Sequence, residues 1–174
     1  GIIGCATLSM AWLLQPYLEI NLGFSEYQIG IMWAALNLTI GLTTLIAHKI
    51  EKHFSQKKIV IFITLSTAIC YVLTGFIESV LVIPVLFFFY FTRGIATPLL
   101  KDYVNRMCDP EMRATVLSVR NFAIRILFAG CGPLLGWYAD IYTISQAMIL
   151  SGIIVLFLGL VSGIILILSI KVIK

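Results

Sequence analysis

The sequence predicts an all-α integral membrane protein of six spanning helices, and three observations carry that prediction. Hydrophobic residues make up 60% of the 174-residue chain and charged residues 11%, whereas an average soluble domain carries about 25% charged residues. A soluble fold so poor in charge could not cover its own surface, so lipid is the expected solvent. Six stretches reach or approach the roughly 20 mainly apolar residues that cross a bilayer. The positive residues gather in every second connection between those stretches.

The spans follow in order. The first covers about 2–18 and holds Gln15 near its end. The second covers about 27–47; Ser25 before it is a candidate N-cap, with Gln28 as its capping-box partner. The third covers about 59–76. The fourth starts near Val80 and stays apolar to Leu100. The fifth covers about 114–138, and Asp109-Pro110-Glu111 ahead of it reads as a capping Asp followed by Pro at the first helical position. The sixth, about 147–170, holds no charge. Prolines inside spans are tolerated because neighbouring groups re-satisfy the freed carbonyls. The chain is already apolar from Ile2, with no basic segment or cleavage site. This is not the pattern of a signal peptide; it reads as a chain that starts within a helix, with residues expected upstream.

Orientation comes from Lys and Arg. Lys49, Lys52, Lys57 and Lys58 fall in the second-to-third connection, Lys101, Arg106 and Arg113 around the fourth-to-fifth, and Lys171 and Lys174 in the tail. The connections on the other side hold none. The positive-inside rule places the Lys-rich loop 48–58 and the tail in the cytoplasm of a multi-pass cell-membrane (inner-membrane) protein.

Polar residues inside spans are the candidate functional groups, because a charge at bilayer depth costs at least about 2.5 kcal/mol. Arg125 lies 12 residues past Arg113, or roughly 18 Å deep at 1.5 Å per residue, where snorkelling to the interface is hard. Arg93 and Arg120 lie nearer the basic side, and Arg120 can snorkel. Asn121 and Arg125 belong to a small and polar stripe with Ala114, Ser118, Ala129, Gly132 and Gly136. Asn37 belongs to another, with Gly30, Ala34, Gly41, Thr44 and His48. The steps of three and four put each stripe on one helical face. Small residues alone would read as helix packing, but Asn37 and Arg125 are too polar for that, so both faces are expected to border a wet cavity. Gln15, Arg93 and Trp33 are further candidates for that cavity. Trp12 and Phe128 add aromatic surface suited to hydrophobic or amphipathic compounds, although single aromatic residues more often simply pack. Gly152, Gly159 and Gly163 share one face of the sixth helix and are read as packing residues, as are Gly132, Pro133 and Gly136 of the fifth. The third and sixth helices, with no charge inside, are expected to be peripheral.

Other chemistries lack support. Cys5, Cys70, Cys108 and Cys131 form no C-x-x-C pair and read as small apolar residues. His48 and His53 lie in a Lys-rich segment without metal-ligand spacing. There is no nucleotide-binding loop, no nucleophile-and-base pair and no acid deep in a span. An enzyme, a cofactor, a metal site and a nucleic-acid partner are not expected; membrane lipid and a small-molecule substrate are.

Three segments resemble the major facilitator superfamily, and the resemblance covers essentially the whole chain. They are Arg93-Gly94-Ile95-Ala96-Thr97-Pro98 through Asp102-Tyr103-Val104-Asn105-Arg106, then Pro110-Glu111-Met112-Arg113-Ala114-Thr115-Val116-Leu117-Ser118, then Gly132-Pro133-Leu134-Leu135-Gly136-Trp137-Tyr138-Ala139-Asp140. They look like the tenth and eleventh helices of bacterial members grouped with multidrug efflux proteins. Ala47-His48-Lys49-Ile50-Glu51-Lys52, followed by Lys57-Lys58, is similar to a degenerate second copy of the family's loop motif G-x-x-x-D-R-x-G-R-R. Glu51 would take the aspartate's role and Lys52 the arginine's. Ala47 replaces the first Gly and the second Gly is absent. The resemblance implies that the chain is the C-terminal six-helix half of a secondary transporter, partnered by a missing N-terminal six-helix half. It implies alternating access around a central site, lined by the first, second, fourth and fifth helices of each half. It also implies a latch in which Glu51 meets an Arg or a helix N-terminus of the other half. Proton-coupled efflux is the expected activity; import or exchange of an organic anion, and a self-contained six-helix scaffold or homodimeric channel, stand as alternatives.

Overall fold

The computed structural model describes residues 1–172, with side chains as far as residue 162. Gly163, Lys171 and Lys174 lie outside the residues whose side chains are described. Six helices follow one another: α1 (Ile2–Ile20), α2 (Glu26–His53), α3 (Gln56–Phe76), α4 (Ile83–Arg106), α5 (Arg113–Ile141) and α6 (Ile144–Val172). Single 3-10 turns, Val80–Val82 and Pro110–Met112, lead into α4 and α5. No strand occurs among the described residues. Five helices are long and apolar enough to cross a membrane. The exception is α1, whose apolar run is diluted by Gln15, Pro16 and Glu19.

The helix ends follow local chemistry. The capping box at α2 is formed: the Ser25 amide donates to Gln28 Oε1 at 2.9 Å, and the Gln28 amide donates to Ser25 Oγ at 3.4 Å. Between α1 and α2 the chain turns at Gly23, whose φ of 65° lies in the left-handed region that favours glycine. The start of α5 departs from expectation. Asp109 caps only the 3-10 turn, and it does so through its backbone carbonyl, which accepts from the Met112 amide at 3.0 Å, without a side-chain bond. Pro110 stands at the first position of that turn.

The basic segment 48–58 also departs from expectation, because it is not a loop. The last turns of α2 include Lys49, Glu51 and Lys52, and the first turn of α3 holds Lys57 and Lys58, leaving only Phe54 and Ser55 between them. Apolar length marks only where a span can leave the bilayer. No Gly or Pro stops α2 at residue 47, so the helix continues into the charged segment.

Long-range hydrogen bonds tie the two ends of the bundle. At one end Tyr17 Oη donates to the Ile77 carbonyl at 2.5 Å, and Asn21 Nδ2 donates to Ser145 Oγ at 2.9 Å, joining the α1, α3 and α6 termini. At the other end Arg106 of α4 meets Glu51 of α2. Basic connections therefore cluster at one end and charge-poor ones at the other, as an up-and-down bundle requires.

The inside-out pattern of a membrane bundle is plain in α3. Its buried face holds Thr64, Ser66, Thr67 and Thr74, while Ile61, Phe62, Leu65, Ile69 and Phe76 point outward. Ser66 Oγ donates to the Phe62 carbonyl at 2.6 Å and Thr74 Oγ1 to the Cys70 carbonyl at 2.7 Å, so these two hydroxyls are satisfied by their own helix. The pair α3 and α6 packs through glycines. A β-carbon on Gly152 would lie 3.0 Å from the Ala68 carbonyl oxygen, one on Gly75 would collide with Ile149 and Ser145, and Gly159 stands against Thr64. Close backbone approach by small residues is the usual route to helix association where lipid is as apolar as leucine.

Candidate functional site

Two helices are poorly covered. In α5 only Ile124 and Gly132 are buried. In α2 the buried residues are Ile29, Met32, Leu36, Thr43 and Ala47, one narrow stripe turned toward α4. The opposite face of α2 exposes Gly30, Ala34, Asn37 and Gly41. A β-carbon on Gly30 or Gly41 would meet nothing within 4 Å, so these glycines do not serve packing within this chain. Ala114, Ser118, Asn121, Arg125 and Ala129 of α5 are likewise exposed, whereas Gly132 is buried beneath Phe128 of its own helix.

Between these faces stand α1 and α4, each touching both α2 and α5. Trp33 of α2 meets Tyr90 of α4 edge-on, with ring centroids 6.1 Å apart, and the Arg93 guanidinium lies 5.6 Å from the Tyr90 ring centre. That cation–π contact gives the half-buried Arg93 a partner inside the span without a carboxylate. On the other side Trp12 of α1 meets Phe128 of α5 edge-on at 6.4 Å. A β-carbon on Gly136 would lie 2.7 Å from the Trp12 ring, so Gly136 is the seat of that indole. Pro133 is exposed.

Of the polar candidates only Arg120 and Asn121, neighbours on α5, are joined. Asn37 Nδ2 donates to the Trp33 carbonyl of its own helix at 2.8 Å. Arg120 Nη1 donates to Asn121 Oδ1 at 3.4 Å. Gln15 is exposed at the far end of α1. Arg125 is exposed, with no ion pair or hydrogen bond among the described residues. The contacts thus form two aromatic pairs, with Asn37 and Asn121 bonded only within their own helices and Arg125 left without a partner among the described residues.

Gly94 sets the α2–α4 approach. A β-carbon there would run into Thr43 and lie 2.9 Å from the Ile40 carbonyl oxygen. Thr44 Oγ1 donates to the Gly94 carbonyl at 3.1 Å across the same contact.

At the basic end Glu51 is held within this chain. Its side chain is only 12% exposed; Arg106 Nη1 lies 3.1 Å from Oε1, Arg106 Nη2 donates to Oε2 at 3.3 Å, and His48 Nδ1 is 3.7 Å away. Arg106 also pairs with Asp102 at 2.5 Å, one turn back on α4. Within this chain Glu51 meets Arg106, because α2 runs on as a helix and carries Glu51 to the end of α4. Lys52, Lys57 and Lys58 are exposed and make no ion pair among the described residues. Sequence reasoning missed Arg106 and Asp102 as partners, although their spacing of four was a readable signal for an ion pair on one helix face. It also missed Tyr90, three residues before Arg93.

A search of the curated proteins and a search of the solved structures each returned no match. The family model described as the Major Facilitator Superfamily matches residues 1–172. With that match spanning nearly the whole of a six-helix membrane bundle, the chain belongs to the major facilitator superfamily.

Proposed function

We propose that this membrane transporter chain acts as the C-terminal half of a secondary transporter that exports small hydrophobic or amphipathic compounds by proton-coupled alternating access. The observation that carries the reading is the paired exposure of the α2 and α5 faces, with Asn37 and Asn121 bonded only within their own helices and Arg125 uncommitted. A bundle surrounded only by lipid would turn such residues inward. These faces therefore suit a second six-helix half and a water-filled pathway between the halves. The Trp33–Tyr90 and Trp12–Phe128 pairs offer flat apolar surface for aromatic or amphipathic cargo. In this reading the Lys-rich end and the tail face the cytoplasm.

A second reading, exchange of an organic anion, is favoured by one observation: Arg125 has no acidic partner among the described residues. An uncompensated guanidinium beside a water-filled path attracts carboxylates and phosphates. Transport by the full-length protein in everted membrane vesicles separates the two. Export predicts uptake of a cationic or neutral amphipathic dye on imposing an inward-acid pH gradient, abolished by a protonophore. Exchange predicts that a preloaded organic anion, and no pH gradient, drives uptake. Neither response would remove both readings.

A further inference from the structure

We propose that the pocket where α2 hands over to α3 binds the headgroup of an anionic phospholipid. The pocket, about 550 Å³, is lined by His48, Glu51, Lys52, Phe54, Ser55, Gln56 and Arg106. Its one carboxylate is already engaged by Arg106 at 3.1 Å and approached by His48 at 3.7 Å. The remaining charge is one-sided. Arg106 is itself committed to Glu51 and Asp102, so the free cation lining the pocket is Lys52; Lys49, Lys57 and Lys58 stand beside the junction without lining it, all exposed and none paired with an acid among the described residues. Ser55 leaves its hydroxyl uncommitted, because it makes no side-chain cap bond to α3. Lys52, the Ser55 hydroxyl and the Gln56 amide thus line a pocket whose own acid is spoken for, with three further lysines beside it, and the complementary ligand is a phosphodiester.

Two features select a lipid over a soluble anion. The pocket lies at the junction of two spanning helices, where clustered lysines meet anionic headgroups. The apolar track for the tails begins one turn away: Lys57 and Lys58 stand one turn before Ile61 and Phe62, and the outward face continues through Leu65 and Ile69. Phe54, 56% exposed at the pocket, adds an apolar ring against which the lipid chains can pack. The inference does not depend on the direction or energy source of transport.

The test uses the full-length protein in detergent, mixed with phosphatidylglycerol or phosphatidylcholine of identical chains, with bound lipid read as adducts by native mass spectrometry. The expected result is a preference for phosphatidylglycerol of about fivefold for each lysine engaged, falling as salt is raised. K49Q/K52Q/K57Q/K58Q should bring phosphatidylglycerol down to the phosphatidylcholine level, and the charge-keeping set K49R/K52R/K57R/K58R should retain the preference. Equal adducts for the two lipids, or a preference that survives the glutamine set, would overturn the proposal. Displacement of phosphatidylglycerol by excess inorganic phosphate would overturn the lipid as occupant and leave a soluble anion site. No transport is read, so failure here is distinct from failure of the transport reading.

Discussion

Gly94 and Arg125 show the two ways single residues matter in this chain, one by taking up no space and the other by carrying an unmatched charge. At Gly94 any side chain would enter Thr43 and the Ile40 carbonyl. Gly94→Ala should therefore lower stability by about 1–3 kcal/mol, the usual cost of overpacking. Gly30→Ala, where a β-carbon meets open space, should be neutral or slightly stabilising. Thermal unfolding of both variants in one detergent checks the contrast. Glu51 and Arg106 are a pair whose coupling is open to a double-mutant cycle. With Arg106 half-exposed and Glu51 nearly buried, Glu51→Gln and Arg106→Gln should be coupled by about 1 kcal/mol, and additive effects would show the ion pair to be idle. Arg125→Ala should abolish or sharply reduce transport while leaving the amount of protein in the membrane unchanged. Normal transport by that variant would remove Arg125 from the mechanism.

Among the elements, faces decide function more than lengths do. The helices were legible in the sequence, since six apolar runs correspond to six helices, five of them long and apolar enough among the described residues to cross a membrane. Helix ends were less legible. Hydropathy registers where lipid ends and says nothing about where hydrogen bonding ends, so α2 carries Glu51 beyond the apolar run to meet Arg106. Stripes of polar and small residues on α2 and α5 could be read from spacing alone, and in the structure they are exposed apart from Gly132 and the half-buried Thr44 and Gly136. Pairings across helices, such as Trp33 with Tyr90 or Trp12 with Phe128, depend on which helices become neighbours, and no local pattern encodes that. The outward face of α3 is a different case. Ile61, Phe62, Leu65 and Ile69 face out, and beyond Lys58 no exposed residue of α3 is polar. Leu65→Asp should therefore cost about 2.5–3.5 kcal/mol in a membrane-insertion assay, whereas an acid on the exposed face of α2, as in Ala34→Asp, should cost markedly less in the assembled protein.

For the whole molecule, the uncovered faces of α2 and α5 set the expectation. In the proposed function these faces meet a second six-helix bundle, related to the first as a parallel repeat about an axis along the membrane normal. The native gene product in membranes should then run at roughly twice the 19.4 kDa of this chain, by immunoblot against the segment 145–174. A band at 19.4 kDa would turn attention to a homodimer of the six-helix unit.

The central claim, that the α2 and α5 faces border water within the membrane, is tested most directly by labelling. In a cysteine-free background, Asn37→Cys and Arg125→Cys would be treated with a membrane-impermeant maleimide in right-side-out and everted vesicles, with Leu65→Cys as the lipid-facing control. Labelling of both test positions in at least one vesicle orientation, with Leu65→Cys unlabelled, is the predicted result. If Asn37→Cys and Arg125→Cys stay as unreactive as Leu65→Cys in both orientations, these faces lie in lipid or in dry protein, and the pathway is elsewhere.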